Sequence, residues 1–170
     1  GDDIVLVCGD EYDYLAKIVK FTKGDTTVDI IDKELNNYNS HSNVAVFQAL
    51  VKSDNMSLIV QKLTELGVKS FVPFESEFIT SKDKFGKVNK LQNISNQSIK
   101  QCKRSIPMSV SDIMSFAKMC EELKKYDLIL FANECERTKR LNEIVFDKSL
   151  NVAIIVGSEG GFSQTEIDKL

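Results

Sequence analysis

Apolar residues recur at every second position through the first 35 residues of the chain. The repeating positions are Ile4, Leu6, Ala16, Ile18, Val28 and Ile30. A period of two is typical of β-strands with one buried face, and the stretch "TKGD" at 22–25 is typical of a turn. We therefore predict a small antiparallel sheet that ends before the polar stretch at 36–43.

From residue 44 onward the pattern changes to continuous apolar runs separated by helical periodicity. The runs of strand length lie at 44–51, 68–74, 127–132 and 152–157. Apolar residues spaced three and four apart predict helices over 54–66 and 89–103, the first of them ended by Gly67. Strands that alternate with helices indicate an α/β fold, in which a mostly parallel sheet is covered by helices on both faces.

Two further helices are predicted on either side of the run at 127–132. Ser111 and Asp112 can cap the first of them. Its predicted inner face consists of Ile113, Phe116, Ala117, Cys120 and Leu123. The second is the short stretch "TKRLNEIVF" at 138–146.

The last apolar run leads into a glycine-rich turn and the polar residues after it, "GSEGGFSQTE" at 157–166. Ser163 and Glu166 form a capping box, so a helix is predicted directly after the turn. The spacing fits neither a P-loop nor a dinucleotide-binding fingerprint, and the carboxylate of Glu159 would repel phosphate. The turn suits a neutral or cationic ligand held by backbone groups. Residue chemistry alone leaves a ligand loop and a purely structural turn equally open.

Charge and composition limit the function classes. A net charge of -3 argues against a generally basic nucleic-acid coat, and no apolar run is long enough to predict a membrane span. One stretch, 82–104, is nevertheless basic. Its cationic residues are Lys82, Lys84, Lys87, Lys90, Lys100, Lys103 and Arg104. The stretch fits either phosphate contacts or a solvated lysine face.

The cysteines and the single histidine predict no metal site. Cys8, Cys102, Cys120 and Cys135 contain no close pair, and His41 cannot complete a ligand set with them at a familiar spacing. Scattered thiols of this kind are typical of a reduced, cytoplasmic protein.

Four motifs in order resemble the small-subunit ribosomal RNA methyltransferase E family. "VGSEGGFSQTE" resembles its I-G-P-E-G-G-F/L-S-x-x-E signature, and "SDNMSLIVQKLTELGVKSFVPFESEFITSK" resembles its segment containing I-Q-K-x-x-E-L-G-V. "SIKQCKRSIPMSV" is similar to the family's Q-S/C-x-R-x-x-x-P, and "LILFANE" to its strand ending in Y/H-E. The departures are Ser158 in place of proline, Asn133 in place of an aromatic residue or histidine, and Ser57 in place of an acidic residue.

The resemblance implies an enzyme that uses S-adenosylmethionine to methylate N3 of one uridine in 16S rRNA. It also implies a partial PUA-like β-domain over 1–40 and a SPOUT-type methyltransferase domain with a trefoil knot over 41–170. The knot domain would form a homodimer, and the enzyme would be cytoplasmic. The family's knot-completing segment does not follow Leu170 here, so we expect a longer protein. Two alternatives stay open, namely an RNA-binding or assembly protein without catalysis and a methyltransferase with another RNA target.

The resemblance also assigns candidate site residues. Cofactor-binding residues would be Phe131, Ala132, Asn133, Glu134, Gly157, Ser158, Glu159, Gly160 and Gly161. RNA-binding residues would be Gln101, Lys103 and Arg104, with Arg104 as the substrate-side catalytic candidate. The alternative for Glu134 and Glu159 is a turn or helix-end carboxylate, and for Gln101 and Arg104 an exposed helix face. No side chain is assigned as a general base.

Overall fold

The computed structural model describes residues 1–79, 87–133, 140–145, 147 and 149–170. Its first unit is an antiparallel sheet in the order β1-β2-β3. The strands are β1 (Asp3–Val7), β2 (Tyr12–Phe21) and β3 (Thr26–Leu35). Ile4 lies opposite Ala16, and Ala16 lies opposite Ile30, so the residues of the two-residue repeat share one face. The predicted antiparallel sheet is confirmed.

The second unit is a parallel sheet. Its strands are β4 (Asn43–Ala49), β5 (Ser70–Glu75), β6 (Ser109–Val110), β7 (Met114–Ser115), β8 (Leu128–Phe131) and β9 (Asn151–Val156). The order is β6-β5-β4-β9-β8, with β7 also paired to β5, and each pairing is parallel. The last strand in sequence thus enters between two earlier strands.

The helices of the described residues are α1 (Ser53–Leu66), α2 (Lys87–Cys102), α3 (Phe116–Leu123) and α4 (Gln164–Ile167), and a 3-10 turn lies at Leu141–Glu143. Helices α1, α2 and α3 each connect two strands of the parallel sheet, and α4 follows β9. Gly67 ends α1 in the left-handed conformation at φ 91°, and its N–H donates to the last carbonyls of the helix, as its position in the sequence predicts. Within the described residues, no helix combines the length and the apolar character that crossing a bilayer requires.

Two apolar cores fill the two faces of the parallel sheet. On one face Phe47 and Ile155 pack against Met119 of α3. On the other face Val46 packs with the cluster that includes Val60 of α1 and residues of α2. Burying a side chain as large as Phe47 contributes about 1.5–3 kcal/mol to folding. Because successive side chains of β4 point to opposite faces of the sheet, Phe47 packs under α3 while Val46 packs under α1 and α2.

The predicted start of α3 is wrong by several residues. Ser115 is the N-cap, and its hydroxyl accepts from the Lys118 N–H at 3.3 Å, whereas Ser111 and Asp112 precede the helix. The reason is tertiary, because Met114 and Ser115 are drawn into pairing with β5 as β7. Ala117, expected inside, is exposed, and Met119 fills the core position.

The helix expected over 138–146 is reduced to the 3-10 turn at Leu141–Glu143 within the described part of that stretch. Residues 138, 139 and 146 lie outside the described residues.

A polar junction joins the antiparallel sheet to the loop after α2. The Asn36 amide, 5% exposed, donates to the Asp13 carboxylate and to the Lys103 carbonyl at 2.8 Å. Asn39 donates to Ser105 Oγ at 2.8 Å and accepts from the N–H groups of Ser105 and Ile106 at 3.2 Å. These bonds hold the end of α2 against the first sheet.

Candidate functional site at the carboxyl edge of the parallel sheet

The ends of β8 and β9 lie side by side at the carboxyl edge of the sheet. The N–H of Ala132 donates to the Ile155 carbonyl at 3.0 Å, which continues the strand pairing past the last residue of β8. The rings of Phe131 and Phe162 meet edge to face with centroids 5.0 Å apart. The described part of the predicted cofactor segment 131–134, residues 131–133, is therefore a neighbour of the other predicted segment, 157–161, in the fold.

Each glycine of the turn has its own steric requirement. A Cβ on Gly157 would lie 2.8 Å from the Phe162 ring, and a Cβ on Gly160 would lie 2.8 Å from the Cβ of Phe78. Gly161 adopts φ 69°, a left-handed conformation that glycine tolerates best, while its N–H closes the turn onto the Ser158 carbonyl at 3.0 Å. The glycines thus serve the packing of the turn itself as well as access to its backbone.

A buried glutamine that the sequence patterns do not single out holds the start of the turn by a hydrogen bond. Gln48, 4% exposed, donates from Nε2 to the Gly157 carbonyl at 2.9 Å and to the Ala49 carbonyl at 3.0 Å. Its position as the one amide within the apolar run "VAVFQALV" indicates a structural role, because a buried polar side chain needs a specific hydrogen-bond partner. Gln48 fixes the point at which the chain leaves β9.

The capping box predicted at Ser163 and Glu166 is present. Ser163 Oγ accepts from the Glu166 N–H at 3.3 Å, and Glu166 Oε2 accepts from the Ser163 N–H at 3.0 Å. The other oxygen of the same buried carboxylate accepts from the Glu77 N–H at 2.9 Å. Ser158 Oγ reaches the Phe78 carbonyl at 3.2 Å. The segment after β5 is therefore bonded once to the turn and once to α4.

The open side of the turn carries one charge. Glu159 and Gly160 are exposed, Gly157 and Ser158 are partly exposed, and Glu159 is the one ionisable residue between Gly157 and Gly161. An exposed carboxylate beside accessible backbone amides and carbonyls can hold a cationic ligand more readily than a phosphate.

Ser76 lies directly after β5, at the same edge of the sheet. Ser76, 5% exposed, carries a hydroxyl without a hydrogen-bond partner in the described structure. Among the described residues, no group of three or more His, Cys, Asp and Glu side chains could hold a metal ion.

Some predicted residues lie beyond the described structure. Glu134, Cys135, Lys82 and Lys84 are outside the described residues, as is the side chain of Lys87. Asn133, which is described, is partly buried at the end of β8.

Arg104, the substrate-side candidate, is placed in the interior. Its side chain is 6% exposed, and Nη1 donates to the Thr64 carbonyl at 2.6 Å, near the end of α1. Burial lowers the pKa of the guanidinium, and its Nε has no partner among the described residues. A side chain directed at a helix carbonyl does not fit the expected direct contact with an RNA phosphate, nor the alternative of an exposed helix face.

Gln101 and Lys103 are exposed, but they are not beside the glycine turn. Because α2 follows β5 and leads to the parallel strand β6, it ends at the amino edge of the sheet. Lys103 adopts φ 60° there, and its ammonium lies 5.6 Å from the centre of the Tyr38 ring. The predicted RNA-binding and cofactor-binding residues thus occupy opposite edges of one sheet.

Comparison with known families decides which group this arrangement belongs to. The model of the RNA methyltransferase domain matches residues 38–170, from the polar stretch before β4 through α4. The chain belongs to the RNA methyltransferase domain family. This match includes the parallel sheet, the glycine turn and the capping box.

Curated relatives within this family confirm the resemblance drawn from the motifs. Ribosomal RNA small subunit methyltransferase E of Bacillus subtilis is 25% identical over 180 residues, which cover 100% of this chain and 70% of the relative. The protein of the same name from Buchnera aphidicola (Acyrthosiphon pisum) is 27% identical over 163 residues, covering 94% of this chain and 64% of the relative. The chain spans about two thirds of the length of these curated relatives.

Solved structures agree with the fold of this family member. A Legionella pneumophila protein in complex with the bound cofactor SAM matches with a TM-score of 0.90 and 27% identity, over 99% of this chain and 70% of that one. Ribosomal RNA small subunit methyltransferase E from Neisseria gonorrhoeae, bound to S-adenosyl methionine, matches with a TM-score of 0.85 at 22% identity, over 99% and 70%. The second likeness concerns the fold alone.

Proposed function

We propose that this chain is the main part of an S-adenosylmethionine-dependent methyltransferase that modifies N3 of a uridine in the 16S rRNA of the small ribosomal subunit. The observation that carries the proposal is the Gly157–Gly161 turn beside the end of β8, within a chain whose relatives bear the name ribosomal RNA small subunit methyltransferase E. The activity is proposed for the whole protein, since the relatives are longer than this chain.

The residues present fit the cofactor. S-adenosylmethionine supplies an electrophilic methyl group on a cationic sulfur. The accessible backbone of Gly157, Ser158 and Gly160, together with Ala132 and Asn133, would hold it at the carboxyl edge, where ligands of parallel sheets bind. Exposed Glu159 would favour its positive charge, and Glu134 keeps the same proposed role. Phe131 and Phe162 form an apolar floor beside the turn.

Arg104 would act as a positioning residue on the substrate side. Its bond to the end of α1 holds the chain where Lys103 leaves α2, so it would present Lys103 and Gln101 to RNA without touching a phosphate itself. Because these residues lie at the amino edge, away from the glycine turn, they would hold the RNA backbone at a distance from the methyl donor.

The proposal extends to the organisation of the whole protein. Residues 1–40 would belong to a PUA-like domain that helps to hold RNA, and residues 41–170 to a SPOUT-type domain with a trefoil knot. Two copies would associate through the knot domain, and the enzyme would act in the cytoplasm. The junction of Asn36 and Asn39 with the loop after α2 supports a fixed relation between the two sheets.

Methyl transfer to isolated ribosomal subunits tests the proposal. The whole protein is incubated with tritiated S-adenosylmethionine and small subunits from a strain that lacks the modification, and the labelled nucleotide is then mapped. We expect label on N3 of one uridine. Subunits that already carry the modification are the matched control and should accept no label.

Two results would contradict this function. Absence of incorporation while RNA is still bound would indicate a binding or assembly protein. Incorporation at another nucleotide would indicate a methyltransferase with a different target.

A further inference from the structure

The outer face of α2 carries lysines and amides without an acidic residue. Lys90, Asn93, Gln97 and Lys100 are spaced i, i+3, i+7 and i+10, which places them along one side of the helix. All four are exposed, whereas the opposite side of α2 is buried through residues such as Leu91. None of the 16 residues of α2 is acidic, in a chain with a net charge of -3.

This row of side chains lines a groove between α1 and α2. The groove is bordered by Gln61 of α1 and, from α2, by Lys90, Asn93, Ile94, Gln97, Ser98, Lys100 and Gln101. Glu65, a neighbouring acid on α1, is held by Gln61 at 2.9 Å and by Lys62 at 2.8 Å. Within the described part of the chain, Lys90 and Lys100 form no ion pair with a carboxylate, so the groove is positively charged.

The combination of cations and amides is suited to a nucleic-acid backbone. Lysines pair with phosphates, while asparagine and glutamine donate to phosphate and sugar oxygens. Lys90 and Lys100 are about 15 Å apart along the helix axis, which lets them meet separate phosphates of one strand. A partner protein with an apolar surface would find little to bury here.

The groove also continues toward the first sheet. Its last residue, Gln101, is followed by Lys103, whose ammonium lies near the Tyr38 ring, and by the junction that holds the loop after α2. An extended polyanion could therefore follow α2 from the middle of the parallel domain to the antiparallel sheet.

We infer that the groove between α1 and α2 binds the phosphate backbone of the RNA substrate through Lys90 and Lys100, with Asn93 and Gln97 as additional donors. The inference rests on the proposed function, since it names the surface by which the substrate is held. This surface positions the RNA independently of its base sequence.

Binding of a fluorescein-labelled RNA hairpin to the whole protein, followed by anisotropy, tests the inference. The double variant K90Q/K100Q is compared with K118Q/K124Q, which removes two exposed lysines on and just after α3, on the other face of the sheet. Each lysine that meets a phosphate should contribute about five- to eightfold in affinity at 0.1 M salt and about 0.7–0.9 units of salt slope, so K90Q/K100Q should bind about 25- to 60-fold more weakly with a slope lower by about 1.5 units. The control should change neither, and both variants should melt like the wild type.

The inference is overturned if the whole protein does not bind the hairpin, if the two double variants lose affinity equally, or if the salt slope of K90Q/K100Q is unchanged. It is also overturned if polyglutamate of equal charge competes as well as RNA, because the groove would then serve an acidic protein. Methyl transfer is measured separately. Lysine-dependent RNA binding without methyl transfer would leave this surface standing and remove only the proposed enzyme.

Discussion

Glu159 and Glu166 are two carboxylates of one turn-and-helix segment that face different surroundings. Glu166 is 6% exposed and accepts from the N–H groups of Ser163 and Glu77. Replacing it by glutamine sets an amide donor against one of these N–H groups, so E166Q should destabilise the fold by about 2 kcal/mol. Urea unfolding measures the change. As a control, E121Q on α3 removes an exposed carboxylate that pairs with Lys124 and should cost less than about 0.5 kcal/mol.

Glu159 should show the opposite behaviour, because it is exposed and faces the open side of the turn. E159Q should leave the melting temperature unchanged and weaken S-adenosylmethionine binding about two- to fivefold, as expected for a solvent-screened attraction between a carboxylate and a cation. Calorimetry with the whole protein measures the affinity. Unchanged affinity in E159Q would remove this residue from the proposed cofactor site.

Some features of the site could be predicted from the sequence, and others could not. The glycine turn and the capping box could be predicted because local chemistry dictates them, through positive φ and the bonds between Ser163 and Glu166. The roles of Gln48 and Arg104 could not, since their partners, Gly157 and Thr64, are distant in sequence. The residues around Gln48 and Arg104 in the sequence do not indicate which distant carbonyl each side chain binds.

At the scale of elements, α3 shows how tertiary pairing overrides local signals. Ser111 and Ser115 both precede the same helix, and only Ser115 caps it, because the chain between them pairs with β5. The strands and the longer helices were predicted because their periodicity extends over many residues. The two-residue strands β6 and β7 were not, since their extended conformation depends on β5.

The position of α3 on the sheet predicts the reactivity of a thiol. Cys120 packs against the core beneath α3, and burial raises the pKa of its thiol. A raised pKa leaves less thiolate at pH 8, so Cys120 should react with iodoacetamide more slowly than exposed Cys8. Peptide mass spectrometry resolves the two sites. The difference should disappear in urea, and equal rates in the native protein would contradict the packing of α3.

At the scale of the whole molecule, the relation between the two sheets depends on a few amide groups. Asn39 makes three hydrogen bonds to the loop after α2, so N39A should loosen β1, β2 and β3 without unfolding the parallel sheet. Hydrogen exchange should become faster in these three strands alone. N55A, at an exposed position of α1, is the matched control and should leave the exchange pattern unchanged. Faster exchange throughout N39A would instead indicate a single cooperative unit.

The position of β9 in the sheet limits how the protein can fold while it is being synthesised. In the described structure β8 pairs with β9 alone, and β9 pairs with β4 across roughly a hundred residues of chain. An emerging polypeptide can join β4 to β5 early, but β8 has no neighbour until the strand before the glycine turn has left the exit tunnel. The turn that we assign to the cofactor therefore forms only after β9 has been synthesised, and a nascent chain cannot present this pocket before β4, β9 and β8 have paired.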